Sequence, residues 1–397
     1  MKIYKKAILP LGFKASGIAS GIKKSGRLDL ALFYSNIPAR AACRFTTNKI
    51  QAAPIKINKK HLKNNKEYRA IITNSGNANC FTGGGGLRDA EETTKELAKV
   101  LRIKKEGILV ASTGIIGRRL PLLKIKKAIP DLARGLSKDG IDKAKIAIMT
   151  TDMLSKEITV KFNQGNRIIT ICGVAKGAGM IAPNMATVLV FIFTDANITQ
   201  MALDKALGIS VENSFNCITV DGCMSTNDTI IALANGASNN NLIDTDPVRN
   251  TMQIKNKAII SYGANKNFNL FLKALNMVCL ELAKLIIKDA EGATKFIQIR
   301  VRKAKDFVQA RQIALTIANS NLFKTAIYGQ NPNFGRIVAA IGASGIDIKE
   351  EALVIKVSPL NRKDVNVDVS IHKGNSSVTV YTSDLTPEYI KINAEYS

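Results

Sequence analysis

Residues 173–197 read GVAKGAGMIAPNMATVLVFIFTDAN. Within them, Val188–Phe193 is apolar at every position, the pattern of a strand covered on both faces. A short buried helix shares that pattern, and we read the run as a strand. Ahead of it, Gly177, Ala178, Gly179 and Pro183 make a small-residue loop. Such a loop, running into a rigid strand, can hold one peptide bond against a neighbouring hydroxyl. Strain would then favour attack by Thr187 on the Ala186 carbonyl; equally, Thr187 can simply begin a buried strand.

Upstream, LDLALFY near 28–34, CRFTT near 43–47 and YRAIITN near 68–74 read as short strands separated by loops. A Gly-rich turn at 83–86 opens LRDAEETTKELAKVL, where Leu87, Ala90, Leu97, Val100 and Leu101 recur near helical spacing. GILVAS at 107–112 reads as a buried strand entering the loop TGIIGRRLP, with a basic helix at 121–137. Strand-like segments return at 145–175. Downstream, 236–268 is rich in Asn, Gly and Asp and predicts a long surface excursion, followed by a helix at about 269–289. FIQIRV, ALVIKVS, VNVDVSIH and SVTVYTS then alternate apolar and polar positions. The order of strands and helices predicts an α/β protein.

A chain of 397 residues exceeds the usual size of one core, so two packed domains or one multilayer domain are expected. Hydrophobic residues make up 46% and aromatics 6%, with no Trp, which describes a globular protein with an aliphatic interior. Lys plus Arg number 57 against 31 Asp plus Glu, a formal net charge of +26. A stripe of such charge would indicate nucleic acid or an anionic surface. The lysines are instead spread along the chain, at Lys23–Lys24, Lys59–Lys60, Lys104–Lys105 and Lys126–Lys127, among abundant Asn and Ile. That distribution reads as a solvated, compositionally biased surface, and a basic nucleic-acid-binding protein is the weaker alternative.

Six cysteines form no CxxC pair, which fits a reduced, cytoplasmic setting. The first residues, MKIYKKAILPLGFKASG, carry charge, but Pro10 and Gly12 interrupt their apolar run, so a signal peptide is not expected. No run approaches the roughly 18 apolar residues of a membrane span.

The residue inventory narrows the chemistry. His61 and His372 are the two histidines, each in a lysine-flanked segment expected to be exposed and without a partner at metal-ligand spacing. A zinc site or a Ser-His-Asp triad is therefore not expected. Neither GGGG at 83–86 nor AKGAG at 175–179 completes a phosphate-binding GxxxxGK[ST] loop. A nucleophile that needs no histidine remains. An amino-terminal Thr is one, because its own α-amine, with a pKa of roughly 7.7–8.0, can accept the hydroxyl proton near neutral pH. Cleavage must first create that amine.

The segment KGAGMIAPNMAT at 176–187 resembles the self-cleavage motif of the glutamate N-acetyltransferase (ornithine acetyltransferase) family of arginine biosynthesis. The resemblance extends over nearly the whole chain: SGIKKSGRLDLAL and RFTTNKIQAAPI near the start, NSGNANCFTG at 74–83, STGIIG at 112–117 and AIMTTD at 147–152. SFNCITVDGCMSTNDT at 214–229, DAEGATKF at 289–296, KTAIYGQNPNFGRI at 324–337 and INAEYS at 392–397 continue it.

The resemblance implies a fold of mixed sheets sandwiched between helices. It also implies self-cleavage between Ala186 and Thr187, giving an α chain of 1–186 and a β chain of 187–397 that assemble two plus two into a heterotetramer. Thr187 would be the nucleophile, with Thr113 and Gly114 as the oxyanion-hole pair. Lys176 would meet a substrate carboxylate and Glu291 an amino group, with a further contact from either Thr150 or Thr151. Asn393 matches a family contact near the carboxyl terminus. A hydroxyl residue usually follows five positions later, whereas here the sequence runs only four further to Ser397. The implied reaction moves acetyl from N2-acetylornithine to glutamate with no metal or organic cofactor, and acetyl-CoA is a second donor in some members. A related self-cleaving aminopeptidase is the alternative chemistry on the same fold.

Overall fold

The computed structural model describes residues 1–182, 188–245, 251–254, 257–260 and 266–395. In chain order the first strands are β1 (Lys2–Tyr4), β2 (Phe13–Ile18), β3 (Leu30–Phe45), β4 (Tyr68–Asn77), β5 (Ile108–Ile115), β6 (Lys156–Gln164), β7 (Arg167–Lys176), β8 (Leu189–Thr194) and β9 (Thr229–Ala234). Among the described residues they form one mixed sheet, ordered β1-β6-β7-β8-β9-β3-β4-β5, with β2 also on β3. Helices α1 (Ala53–Asn64), α2 (Gly83–Leu101), α3 (Leu122–Arg134), α4 (Ile141–Ala147), α5 (Gln200–Glu212) and α6 (Lys266–Lys288) pack around it.

The long strand β3 folds this sheet over itself. Leu30–Tyr34 pairs with β4, Arg40–Phe45 pairs with β9, and the register shifts between Tyr34 and Ala39. The two strands expected at 28–34 and 43–47 are therefore one strand. Its middle, SNIPA, carries Pro38, which cannot donate a ladder bond and marks the irregularity. The two halves of the sheet then stack, and helices cover both outer faces. One interior lies between α5–α6 and β6–β9, the second between the sheet halves, and the third between β3–β5 and α1–α3.

This stacking accounts for the apolar run at 188–193. Val190 and Ile192 face α5 and α6, whereas Phe191 and Phe193 face β2 and β3. Phe33 lies 5.1 Å from the rings of both Phe191 and Phe193, and Phe13 lies 5.3 Å from Phe193. A strand alternates its side chains between faces, so two covered faces demand six apolar residues in succession.

The remaining strands are β10 (Thr251–Ile254), β11 (Lys257–Ile260), β12 (Phe296–Ala304), β13 (Val354–Val357), β14 (Asp364–Ser370) and β15 (Ser376–Ser383). The last four form a sheet ordered β13-β14-β12-β15. Helices α7 (Phe307–Ala318), α8 (Asn321–Tyr328) and α9 (Phe334–Gly342) cover it, and α10 (Pro387–Ala394) ends the described chain.

Four expectations shift. Gly83–Gly86 is the first turn of α2 rather than a turn before it. The expected excursion at 236–268 contains the antiparallel pair β10–β11, and the following helix already starts at Lys266. Strands were expected from residue 145, whereas α4 runs through Ala147 and the strands begin at Lys156. His61, expected to be exposed, is 2% exposed on the inner face of α1, with Nδ1 2.7 Å from the Ile108 carbonyl oxygen. The lysines beside it occupy the outer face of the same helix, which flanking residues in one dimension cannot reveal. Among the described residues no helix is long and apolar enough to cross a membrane.

Candidate active site

Strand β5 delivers two of the expected residues together. It pairs in parallel with β4, matching Ser75 with Thr113 and Gly76 with Gly114. Gly114 has φ of 131°, and a Cβ there would sit 2.4 Å from the Gly76 carbonyl carbon. Only glycine permits this approach of two chains.

Strand β7 brings Lys176 to the same end. Lys176 pairs across the sheet with Leu189, which lies two positions after Thr187 in the sequence. Its side chain is buried, and Nζ donates to Thr113 Oγ1 at 3.3 Å. Burial lowers the Lys176 pKa from its ordinary value, and the Asp152 carboxylate works against that shift.

Asp152 organises the floor. Its Oδ2 accepts from the Thr150 amide at 3.0 Å, and its Oδ1 accepts from the Gly177 amide at 2.6 Å and from Lys156. Lys156 also donates to Asp289, which in turn accepts the amides of Met153 and Leu154 at 3.0 and 3.1 Å. Burial pushes the Asp152 pKa up, but the ammonium groups of Lys176 and Lys156 and the Gly177 amide outweigh it and hold it at about 2. This network ties the loop bearing Thr150 and Thr151 to the end of β7 and the end of α6.

The carboxyl-terminal helix closes the opposite wall. Asn393 donates to Glu291 Oε2 at 3.0 Å, and Tyr389 donates to Asp221 at 3.1 Å. Asp221 also accepts the amides of Met180 and Ile181 at 2.7 and 2.9 Å, so α10 and the loop after β7 share one anchor. Glu291 is packed against Gly179 closely enough that a Cβ there would lie 2.1 Å from Oε2.

The result is a cavity of about 90 Å³ lined by Thr113, Gly114, Thr150, Thr151, Lys176, Glu291 and Asn393. Every expected site residue within the described part of the chain lines it. Ala186, Thr187 and Ser397 lie outside the described residues. Ala78, Met180, Ser225 and Asn227 also line the cavity and were not anticipated. Asn227 holds two walls together, donating to the carbonyls of Ala78 and Ser112 at 2.6 and 2.8 Å. Beside it, buried Asp228 accepts the Val188 amide at 3.0 Å, and its Oδ2 has no hydrogen-bond partner among the described residues. Burial raises the Asp228 pKa well above its ordinary value, although the Val188 amide and Lys176 oppose it. Ala78 lies within the NSGNANCFTG block, Met180 within KGAGMIAPNMAT, and Ser225, Asn227 and Asp228 within SFNCITVDGCMSTNDT, but nothing in the sequence distinguishes them from their neighbours. Among the described residues no group of His, Cys, Asp or Glu is arranged to hold a metal ion.

A model of the ArgJ family matches residues 14–361. The chain belongs to the ArgJ family. The arginine biosynthesis bifunctional protein ArgJ of Geobacter sulfurreducens is 42% identical over 406 residues, covering 97% of this chain and 98% of that protein. The protein of the same name from Caldanaerobacter subterraneus subsp. tengcongensis is 43% identical over 417 residues, with 98% of each covered. Among solved structures, the ornithine acetyltransferase of Mycobacterium tuberculosis in complex with ornithine is 35% identical, covering 47% of this chain and 99% of that chain, with a TM-score of 0.43. An ArgJ-family arginine-biosynthesis enzyme is thus the coarse description of this chain.

Proposed function

We propose that this enzyme transfers acetyl from N2-acetylornithine to glutamate through an acetyl ester on Thr187, releasing ornithine and then N-acetylglutamate. The observation that carries this reading is the gathering of Thr113, Gly114, Lys176, Glu291 and Asn393 into one small cavity at the ends of β5 and β7. Lys176 and Glu291 are a cation and an anion, the two charges an α-amino acid requires. Because Lys176 donates to Thr113 Oγ1, the threonine proton is left to point elsewhere. It can then donate to the oxyanion that forms when a carbonyl is attacked, together with the Gly114 amide.

In this reading the chain first cuts itself between Ala186 and Thr187, and the new α-amine activates the Thr187 hydroxyl. Strand β8 follows the cut, yet it pairs with β7 from the other piece, and β9 pairs with β3. Shared strand pairing supports two pieces, 1–186 and 187–397, that stay in one folded body. Assembly of two such pairs into a heterotetramer in the cytoplasm, with no metal or organic cofactor, completes the proposal.

Incubation with N2-acetylornithine alone tests it. The 187–397 fragment should gain one acetyl mass on Thr187, and glutamate should discharge it as N-acetylglutamate. Acetyl on another residue, or transfer by a Thr187→Ala chain, refutes the mechanism. Discharge to water without glutamate would indicate hydrolase chemistry instead. Acetyl-CoA in place of N2-acetylornithine tests the second donor.

A further inference from the structure

Self-cleavage needs a proton that the acetyl-transfer machinery does not supply. The α-amine of Thr187 does not exist until the Ala186–Thr187 bond breaks, and an amide nitrogen leaves readily only when a nearby acid protonates it. Three covalent bonds join the Thr187 nitrogen to the Val188 nitrogen, so the two are no more than about 4 Å apart in any conformation. Whatever holds the Val188 amide is therefore close to the leaving group.

Asp228 holds it. Strands β8 and β9 run parallel with Leu189 opposite Thr229, which places Asp228 at the entry to β8. The Val188 amide donates to Asp228 Oδ1 at 3.0 Å, and the Val188 carbonyl accepts the Thr229 amide at 3.0 Å. From the β3 side, the Thr46 amide donates to the Asp228 carbonyl at 3.1 Å, so the backbone of Asp228 is fixed as well. Asp228 is 1% exposed, and its Oδ2 has no hydrogen-bond partner among the described residues. A buried oxygen left unpaired is costly, and its presence beside a reacting bond calls for a role.

The other carboxyl groups around the site are committed. Asp152 is held ionised by Lys176 and Lys156 and has no proton to give near neutral pH. Glu291 accepts from Asn393, and Asp221 accepts from Tyr389 and from the amides of Met180, Ile181 and Cys223. Around Asp228 the opposing groups are the Val188 amide of β8, the Lys176 ammonium of β7 and the hydroxyls of Thr46 and Ser225. Burial outweighs them and favours the neutral carboxyl, the form that can donate.

We propose that Asp228 is the acid of self-cleavage, delivering a proton from its free oxygen to the Thr187 nitrogen as the Ala186–Thr187 bond breaks; this rests on the self-cleavage proposed above. Thr187 Oγ bonds to the Ala186 carbonyl carbon while its own proton passes to water, and the carbonyl oxygen becomes an oxyanion. The oxyanion collapses to an ester, the carbon–nitrogen bond breaks, and its electron pair takes the Asp228 proton. An amine, an ester on Thr187 Oγ and a carboxylate on Asp228 result. Water then hydrolyses the ester, which restores the hydroxyl and frees Ala186 as a carboxylate, and Asp228 regains its proton from solvent.

Full-length chains made by cell-free synthesis and chased on denaturing gels test the step. Asp228→Asn keeps an acceptor for the Val188 amide but loses the acidic proton, and cleavage should slow at least ~100-fold. Uncut Asp228→Asn should unfold within ~4 °C of uncut Thr187→Ala, as a preserved fold requires. Wild-type cleavage should slow as pH rises through the elevated Asp228 value, because a carboxylate has no proton to give, and the residual cleavage of Asp228→Asn should lack that decline. Hydroxylamine, which cuts esters far faster than amides, should not speed fragment release from Asp228→Asn; release at the wild-type rate would place the block after the ester and overturn the proposal. Equal cleavage by wild type and Asp228→Asn, a wild-type rate that does not fall at high pH, or a variant that unfolds well below Thr187→Ala also overturns it. A wild type that never cuts removes the self-cleavage reading itself, whereas a wild type that cuts no faster than Asp228→Asn removes only the role of Asp228.

Discussion

Replacing Asp152 by Asn removes the one carboxylate that joins Lys156, Thr150 and the end of β7. Lys156 and Asp152 have side chains 1% and 0% exposed, so little solvent screening applies. Asp152 is held at about 2 against an ordinary value of 3.8. At ~1.4 kcal/mol per pH unit, a depression of this size corresponds to stability on the order of 2 kcal/mol at neutral pH. Breaking a buried pair by removing one partner costs ~3–5 kcal/mol in other proteins, and Lys156 here keeps Asp289, which favours the lower end. An asparagine also offers one acceptor where the aspartate uses two, so either Thr150 or Gly177 loses its partner. We expect a loss of about 3 kcal/mol. Urea unfolding followed by circular dichroism measures it best in a Thr187→Ala background, where the chain should be uncut. The sign with pH is fixed: a depressed carboxylate contributes fully above 3.8, and that contribution is lost as pH falls through about 2. The gap between parent and variant should therefore narrow below about pH 4. A loss under ~1 kcal/mol at pH 7, or a gap that ignores pH, refutes the argument from the buried charge.

On a denaturing gel the wild type should run as two fragments of 1–186 and 187–397, and Thr187→Ala should run as one chain of 43.0 kDa; an uncut wild type after long incubation would count against self-cleavage. Thr113→Ala should lower kcat about 10²-fold with little change in KM, as measured by steady-state kinetics, if the hydroxyl is an oxyanion donor. Lys176→Met should raise KM for glutamate. Because the Lys176 pKa is lowered, wild-type KM should begin to climb at a pH below the ordinary 10.5 as the ammonium loses its proton, and the variant should lack that limb. Gly114→Ala should destabilise the fold and abolish exchange, since its Cβ would collide with the Gly76 backbone; wild-type activity in this variant would refute the close approach.

The sequence by itself determined the doubly covered strand at 188–193, the strand-to-helix units around it and the dispersed positive charge. The ordered motif blocks also carried the family, because such blocks are local strings that need no coordinates. It could not show that 28–34 and 43–47 belong to one bent strand, since a register shift depends on which partner each half finds. Nor could it show that His61 is buried, or that six of the chain's lysines and arginines gather around one cleft. Lys176 illustrates the division most clearly. In sequence it is a lysine among glycines, indistinguishable from the solvated lysines of this chain. Tertiary structure buries it at the end of β7, against Thr113 from sixty-three residues earlier and the field of Asp152, and thereby sets its charge and its reach. Burial and electrostatics are sums over neighbours in space, and for this site those neighbours come from β5, β7, the end of α6 and the carboxyl-terminal helix.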